Sequence, residues 1–130
     1  MSKQIAAAAV IYAKNMLLVS KFYEAIAGLA VTEAEPGHAV LEANGFQLTV
    51  VAIPEPVAVS VEVADPPLRR EGTPIKLVHF VPSISAAREK VAKLGGLLNP
   101  SEREWLFQDT RVCDGHDPEG NVFQLRENAL

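Results

Sequence analysis

The chain has one cysteine, Cys113, in its 130 residues. That excludes an internal disulfide and fits a reducing compartment, so a cytoplasmic location is the expectation. No apolar run approaches the roughly 18 residues of a membrane span, and a membrane is not an expected partner. Lysine and arginine form no run along a chain of net charge −4. Nothing is concentrated to neutralise phosphates, which argues against nucleic acid as a partner. A Gly-rich phosphate loop, a Ser-His-Asp pattern and a paired-cysteine motif are all missing. Aromatic residues are only 6% of the chain and Trp105 is the single tryptophan. What is present is ordinary for a globular protein: 48% hydrophobic and 22% charged residues. A chain of this length buries roughly two thirds of its unfolded surface, enough to stand without disulfides or metal.

The strongest positive signal is internal repetition. Ala9 to Ala13 leads into Met16 to Leu29, and Leu77 to Val81 leads into Ile84 to Leu97. Met16 matches Ile84 and Gly28 matches Gly96, a constant offset of 68 residues. Each half closes on one tripeptide, Phe46-Gln47-Leu48 and Phe123-Gln124-Leu125. Two copies of one supersecondary unit predict a pseudo-twofold module with its site at the junction. The unbroken apolar stretch Ile5 to Ala13 reads as the first strand of the repeat and not as the core of a signal peptide.

Local signals fill in the rest. Asn15 predicts the N-cap of a helix from Met16 to about Ala27, with Leu18, Phe22, Ile26 and Leu29 at helical spacing and Gly28 as its C-terminal stop. Val31–Glu35, His38–Ala43 and Phe46–Ile53 read as strands, the last two joined by Asn44-Gly45, a strong hairpin signal. Residues 54–72 carry four prolines and read as a linker, within which Val57–Val63 alternates enough for an edge strand. The second unit repeats the order: strand Ile75–Val81, helix Ile84–Leu94 capped by Ser83, short strands around Leu97 and over Trp105–Cys113, and strand Val122–Glu127. Asp117-Pro118-Glu119-Gly120-Asn121 forms the turn before the last strand. The expected architecture is α+β: one domain over residues 1–130, with unit one at 4–53, the linker at 54–72 and unit two at 73–128. Two βαβββ units in pseudo-twofold arrangement would form a cupped mixed sheet.

This doubled unit resembles the vicinal oxygen chelate superfamily of glyoxalases, extradiol dioxygenases and fosfomycin- and bleomycin-resistance proteins. Phe22-Tyr23 with Gly28-Leu29 and the segment Asp117 to Asn121 carry the likeness most specifically. The resemblance implies a divalent metal held by the first and last strands of each unit. The first-strand ligand would lie seven residues before the residue preceding each helix, which gives Ala8 and Lys76. The last-strand ligands would be Gln47 and Gln124. Ala8 has no donor atom, Lys76 is a cation, and two neutral amides lack the charge that holds a hard divalent ion. No metal and no other cofactor is therefore expected.

Period-two alternation places Ala8, Val10 and Tyr12, Gln47 and Thr49, Lys76, Val78 and Phe80, and Val122 and Gln124 on the face lining the cup. Apolar walls with a few orienting polar groups are the usual makeup of a small-molecule pocket. The expected ligand-binding set is Tyr12, Gln47, Lys76, Phe80, Trp105, Phe107 and Gln124. Lys76 reads either as a clamp for an anionic group or as the partner of an acid. Trp105 and Phe107 read as stacking platforms or as core and dimer contacts. His79 reads as a buried structural histidine, His38 as an exposed turn residue, and His116 with Asp114 and Asp117 as turn geometry; Cys113 lacks a visible activating base. The leading expectation is a metal-independent small-molecule-binding protein, similar to the bleomycin-resistance type and a homodimer as the resemblance implies. The alternatives are a glyoxalase- or dioxygenase-like enzyme acting on a small vicinal-oxygen substrate, and a regulatory module with a degenerate cup.

Overall fold

The computed structural model describes residues 4–128, which form two compact units, the first ending at Glu62 and the second starting at Val63. The first unit runs β1 (Ala7–Ala13), α1 (Met16–Ala27), β2 (Ala30–Glu35), β3 (His38–Ala43) and β4 (Phe46–Ala52). Its sheet has the order β1-β4-β3-β2, with β1 parallel to β4 and the other pairs antiparallel. Helix α1 starts where the Asn15 side chain accepts from Leu18 N at 3.1 Å, satisfying a donor left open by the first turn. It stops at Gly28, whose φ of 66° suits a residue without a Cβ. Val19, Phe22, Tyr23 and Ile26 are buried and meet a sheet face built by Ala39, Leu41, Leu48 and Val50. Leu18, expected in that stripe, is 40% exposed, and Val19 opens it instead. Asn44 and Gly45 both have positive φ, as a two-residue hairpin matched to strand twist requires.

After β4 the chain forms a short helix α2 (Glu55–Ala58), not the edge strand expected over Val57–Val63. Pro56 sits in its first turn, where no amide hydrogen is needed, and Lys14 Nζ donates to the Val61 carbonyl at 2.7 Å.

The second unit runs β5 (Leu77–Phe80), α3 (Ile84–Lys93), β6 (Leu97–Leu98), a 3-10 turn (Ser101–Arg103), β7 (Trp105–Phe107), β8 (Thr110–His116) and β9 (Val122–Asn128). Its order β5-β9-β8-β6 repeats that of the first unit, with β7 added on β8. Ser83 caps α3 by accepting from Ala86 N, the counterpart of Asn15 on α1. Ile84, Ala87 and Val91 are buried on α3, and Leu98, Phe123, Leu125 and His79 are buried in the sheet. The short strands expected over Trp105–Cys113 are the two arms of a hairpin, the second of which runs on to His116. Gln108 and Asp109 turn it at positive φ of 48° and 61°, and Thr110 Oγ1 donates to the Phe107 carbonyl to close it.

Register corrects one expectation. Ala8 lies opposite Gln47 in β1/β4, but the residue opposite Gln124 is Val78, not Lys76. The helix caps keep the 68-residue offset while the strands are offset by 70, so the strand-to-helix link is two residues shorter in the second unit. Strand β5 starts only at Leu77, and Lys76 precedes it.

The turn before β9 is closed by the fully buried Asp117. Its Oδ1 accepts from Glu119 N at 2.8 Å and Asn121 N at 3.0 Å, and its Oδ2 from Asn121 Nδ2 at 2.9 Å. Residues 68–70 lie against this turn: Arg70 N donates to the Gly120 carbonyl at 2.9 Å and Arg70 Nε to the Glu119 carbonyl at 3.2 Å.

Two outcomes follow for stability. Gly120 has φ 82°, and a Cβ there would sit 2.0 Å from the Leu68 carbonyl oxygen. Gly120→Ala should therefore cost about 2–4 kcal/mol in urea unfolding, through backbone strain and displacement of the strap. Burial lowers His79 from 6.5 to about 4. The unfolded chain thus binds the extra proton between these values, and stability falls as pH drops from about 6.5 to 4, by ~3 kcal/mol in total. His79→Gln should flatten that part of the stability–pH curve; an unchanged slope would assign the loss to other groups.

Candidate functional site

The face of the second sheet turned away from α3 collects most of the chemistry. Register places Val78, Gln124 and Asp114 in one row across it, and Phe80, Arg126, Val112 and Trp105 in the next. Phe107, opposite Thr110 and Asn128, stands in the row after that. Arg126 organises the aromatic part: its guanidinium carbon lies 5.0 Å from the Phe107 ring centroid and 5.9 Å from that of Phe80. Both rings offer the cation their electron-rich faces. Phe80, Trp105 and Phe107 nonetheless remain 62%, 42% and 45% exposed, so this apolar wall is open.

The polar row is chained by hydrogen bonds. Lys76 Nζ donates to Asp114 Oδ2 at 2.8 Å, and Gln124 Nε2 to Asp114 Oδ1 at 3.0 Å. Gln124 Oε1 in turn accepts from Arg126 Nε at 2.8 Å, linking the polar and aromatic rows. Lys76 thus has an acid partner. The pair is partly exposed, and such pairs contribute little to stability.

Beside this row opens a cleft of about 320 Å³ bounded by Arg69, Lys76 and Arg103, with Asp114, Asn99 and Val122 also lining it and Glu71 and Thr73 completing it. Arg69 comes from the segment read as linker. Its Nε donates to His116 Nδ1 at 3.0 Å, its Nη1 to Asn99 Oδ1 at 2.6 Å and its Nη2 to the Leu97 carbonyl at 3.4 Å. All three acceptors are neutral, because burial and the adjacent Arg69 charge push His116 below the usual histidine range. Among the described residues neither Arg69 nor Arg103 forms an ion pair, whereas Lys76, Arg88 and Arg111 do.

Of the residues expected in the site, Lys76, Phe80, Trp105, Phe107 and Gln124 share one face of the second unit. Tyr12 and Gln47 belong to the first unit, on one face of its sheet but four positions apart along the strands, with Tyr12 opposite Val51 and Gln47 opposite Ala8. Tyr12 is 67% exposed. Gln47 Nε2 donates to Glu42 Oε2 at 3.1 Å, directly across the β3/β4 pair. Gln124 and Asp114 are likewise directly opposed, so each unit carries the same amide–carboxylate pair. His38 starts β3 and bonds Glu33 across the β2/β3 pair. The Cys113 thiol has a cationic neighbour after all, Arg88 Nη2 at 3.6 Å, but burial outweighs it and pushes the thiol up, away from nucleophilic character.

Sequence reasoning missed Arg69, Arg103 and Arg126 as site residues. Arg126 was within reach, since it shares the parity of Gln124. Arg69 was not, because only the docking of the strap on the Asp117 turn brings it to the cleft.

The donor set does not suit a divalent ion. By register the four positions at which the resemblance expects ligands are Ala8, Gln47, Val78 and Gln124; the first and third have no donor atom, and the two amides offer only neutral oxygens. Among the described residues no group of three or more His, Cys, Asp or Glu side chains is placed to hold a metal.

No protein-family model and no curated protein matches the chain. Solved structures do, over nearly its full length. A glyoxalase-related enzyme from Fulvimarina pelagi is 19% identical with a TM-score of 0.67, over 97% of this chain and 89% of that one. The fosfomycin resistance protein FosX from Mesorhizobium loti is 10% identical with a TM-score of 0.64, over 100% and 96%. A bleomycin resistance determinant encoded on the transposon Tn5 is 15% identical with a TM-score of 0.59, over 99% and 100%. The chain therefore has the α+β βαβββ fold of the vicinal oxygen chelate proteins. At these identities the likeness concerns the fold, and function has to be argued from the site.

One consequence concerns Asp114. Asp114→Asn keeps its shape while removing the charge that faces Lys76, and should lower urea-unfolding stability by no more than about 1 kcal/mol. A larger loss would make the pair a structural element and not part of an accessible site.

Proposed function

We propose that the chain is a small-molecule-binding protein that holds its ligand on the open face of the second sheet without a metal ion. One observation carries this reading: an exposed aromatic wall, Phe80, Trp105 and Phe107 around Arg126, adjoins the hydrogen-bonded row Lys76–Asp114–Gln124. Apolar surface supplies affinity there, and a few polar groups orient the ligand. A bleomycin resistance determinant is among the proteins whose fold the chain shares, which supports this reading. Tyr12 and Gln47 enter the same reading as polar groups on the first unit's open face. A homodimer acting in the cytoplasm completes it, the exposed aromatics giving a second subunit apolar surface to cover. The enzyme alternative requires a Lewis acid or an activated side chain. The amide-and-alkyl set at the family positions supports neither.

Two measurements test the proposal. Protein incubated with zinc, nickel or manganese and then gel-filtered should retain none in stoichiometric amount; one tightly held equivalent overturns metal independence. Planar aromatic ligands should quench Trp105 fluorescence and raise the melting temperature. Phe107→Ala and Phe80→Ala should each weaken that binding about fivefold, by loss of a ring worth ~1 kcal/mol. Unchanged affinity in both variants would remove the aromatic wall from the site.

A further inference from the structure

We infer that the cleft between Arg69, Lys76 and Arg103 is an oxyanion subsite, taking the carboxylate or phosphate group of the small molecule bound on the adjoining face. The inference rests on the proposed binding function and adds the chemical class of the ligand.

Three cationic side chains reach this cleft from three separate segments: the strap before β5, the residue leading into β5, and the 3-10 turn after β6. They are not equivalent. Lys76 is matched by Asp114, whose other oxygen is occupied by Gln124. Arg69 and Arg103 have no acid partner among the described residues. A cation without a counter-charge is unremarkable on an open surface, where water solvates it. Arg69 differs because it is half-buried and fixed. Three neutral acceptors, on His116, Asn99 and Leu97, hold its plane in one orientation. A guanidinium has five N–H donors, so these bonds leave hydrogens on Nη1 and Nη2 free. Its charge, meanwhile, remains uncompensated. A guanidinium pre-oriented in this way loses little freedom on meeting a planar or tetrahedral oxyanion, and such charge-assisted bonds are about twice as strong as neutral ones. The volume of about 320 Å³ suits a small ligand or one group of a larger one. Glu71, which also lines the cleft, offsets one of the two unmatched arginines, so the lining keeps a single net positive charge.

The test uses the intact protein and two named probes, inorganic phosphate and benzoate, followed by the arginine Nε–Hε resonances in nuclear magnetic resonance titrations. The Arg69 signal, identified by its loss in Arg69→Lys, should shift saturably with at least one probe. Phosphate alone would assign the site to phosphate groups, and benzoate to carboxylates. Arg103→Ala, which leaves the strap intact, should weaken the same titration about tenfold. Arg111→Ala, which removes an equal charge outside the cleft, should leave it unchanged. Absence of a saturable shift with both probes overturns the inference, as does an equal effect of Arg111→Ala, which would reduce it to net charge. If aromatic ligands quench Trp105 with undiminished affinity in both Arg69→Lys and Arg103→Ala, the oxyanion subsite fails while the binding function stands. If phosphate binds but no aromatic ligand does, the reverse holds.

Discussion

The buried carboxylate of Asp117 is the constraint on which the site depends. A carboxylate with no water around it is costly unless its oxygens are occupied by donors. Here Glu119 N, Asn121 N and Asn121 Nδ2 occupy them, and every one of those bonds folds the segment Asp117 to Asn121 into one shape. The turn so formed presents the Glu119 and Gly120 carbonyls outward, where Arg70 docks through its backbone and its side chain. The absence of a Cβ at Gly120 lets the Leu68 carbonyl approach. Arg69 is thereby delivered to His116 and Asn99. One internal turn thus converts a proline-rich segment into a wall of the cleft.

The second sheet separates two kinds of recognition along one face. At one end Arg126 lies against the Phe80 and Phe107 rings and donates to the neutral Gln124 oxygen, so it keeps its charge among aromatic faces. At the other end Lys76 and Asp114 compensate each other, and Arg69 and Arg103 outweigh Glu71 by one positive charge. A ligand with an apolar body and one anionic group would match both ends. A cationic ligand would meet the unmatched arginines.

Much of this was legible in the chain. The helices were marked by Asn15, Ser83 and Gly28, whose roles are local, and strand parity followed from the period of two. The repeat itself foretold the common strand order of the two sheets. Distances counted across a connection were less secure. Counting back from Ser83 lands on Lys76, but the shorter link moves Val78 into that place, and no local signal marks the two missing residues. The Gln108-Asp109 hairpin was hidden because it lacks the glycine that marks an Asn-Gly or Asp-Gly turn, although aspartate itself tolerates positive φ. Arg69 was illegible for a different reason: its partners lie 28 to 47 residues away, and nothing in a proline-rich stretch announces them.

The two units carry the same side-chain pair in different electrostatic surroundings. In both units the glutamine on the last strand gives its amide hydrogen to a carboxylate directly across the sheet, Gln47 to Glu42 and Gln124 to Asp114. The surroundings of the two acids differ. Glu42 receives only a second neutral donor, Thr32 Oγ1 at 3.3 Å, and no cation among the described residues, so that sheet face keeps a negative charge. Asp114 receives Lys76, and two more cations stand beyond it. The same pair therefore repels an anion in one unit and is screened from it in the other. With only amides and alkyl groups at Ala8, Gln47, Val78 and Gln124, the difference between the two faces lies in these surrounding charges. They favour an anionic group in the second unit.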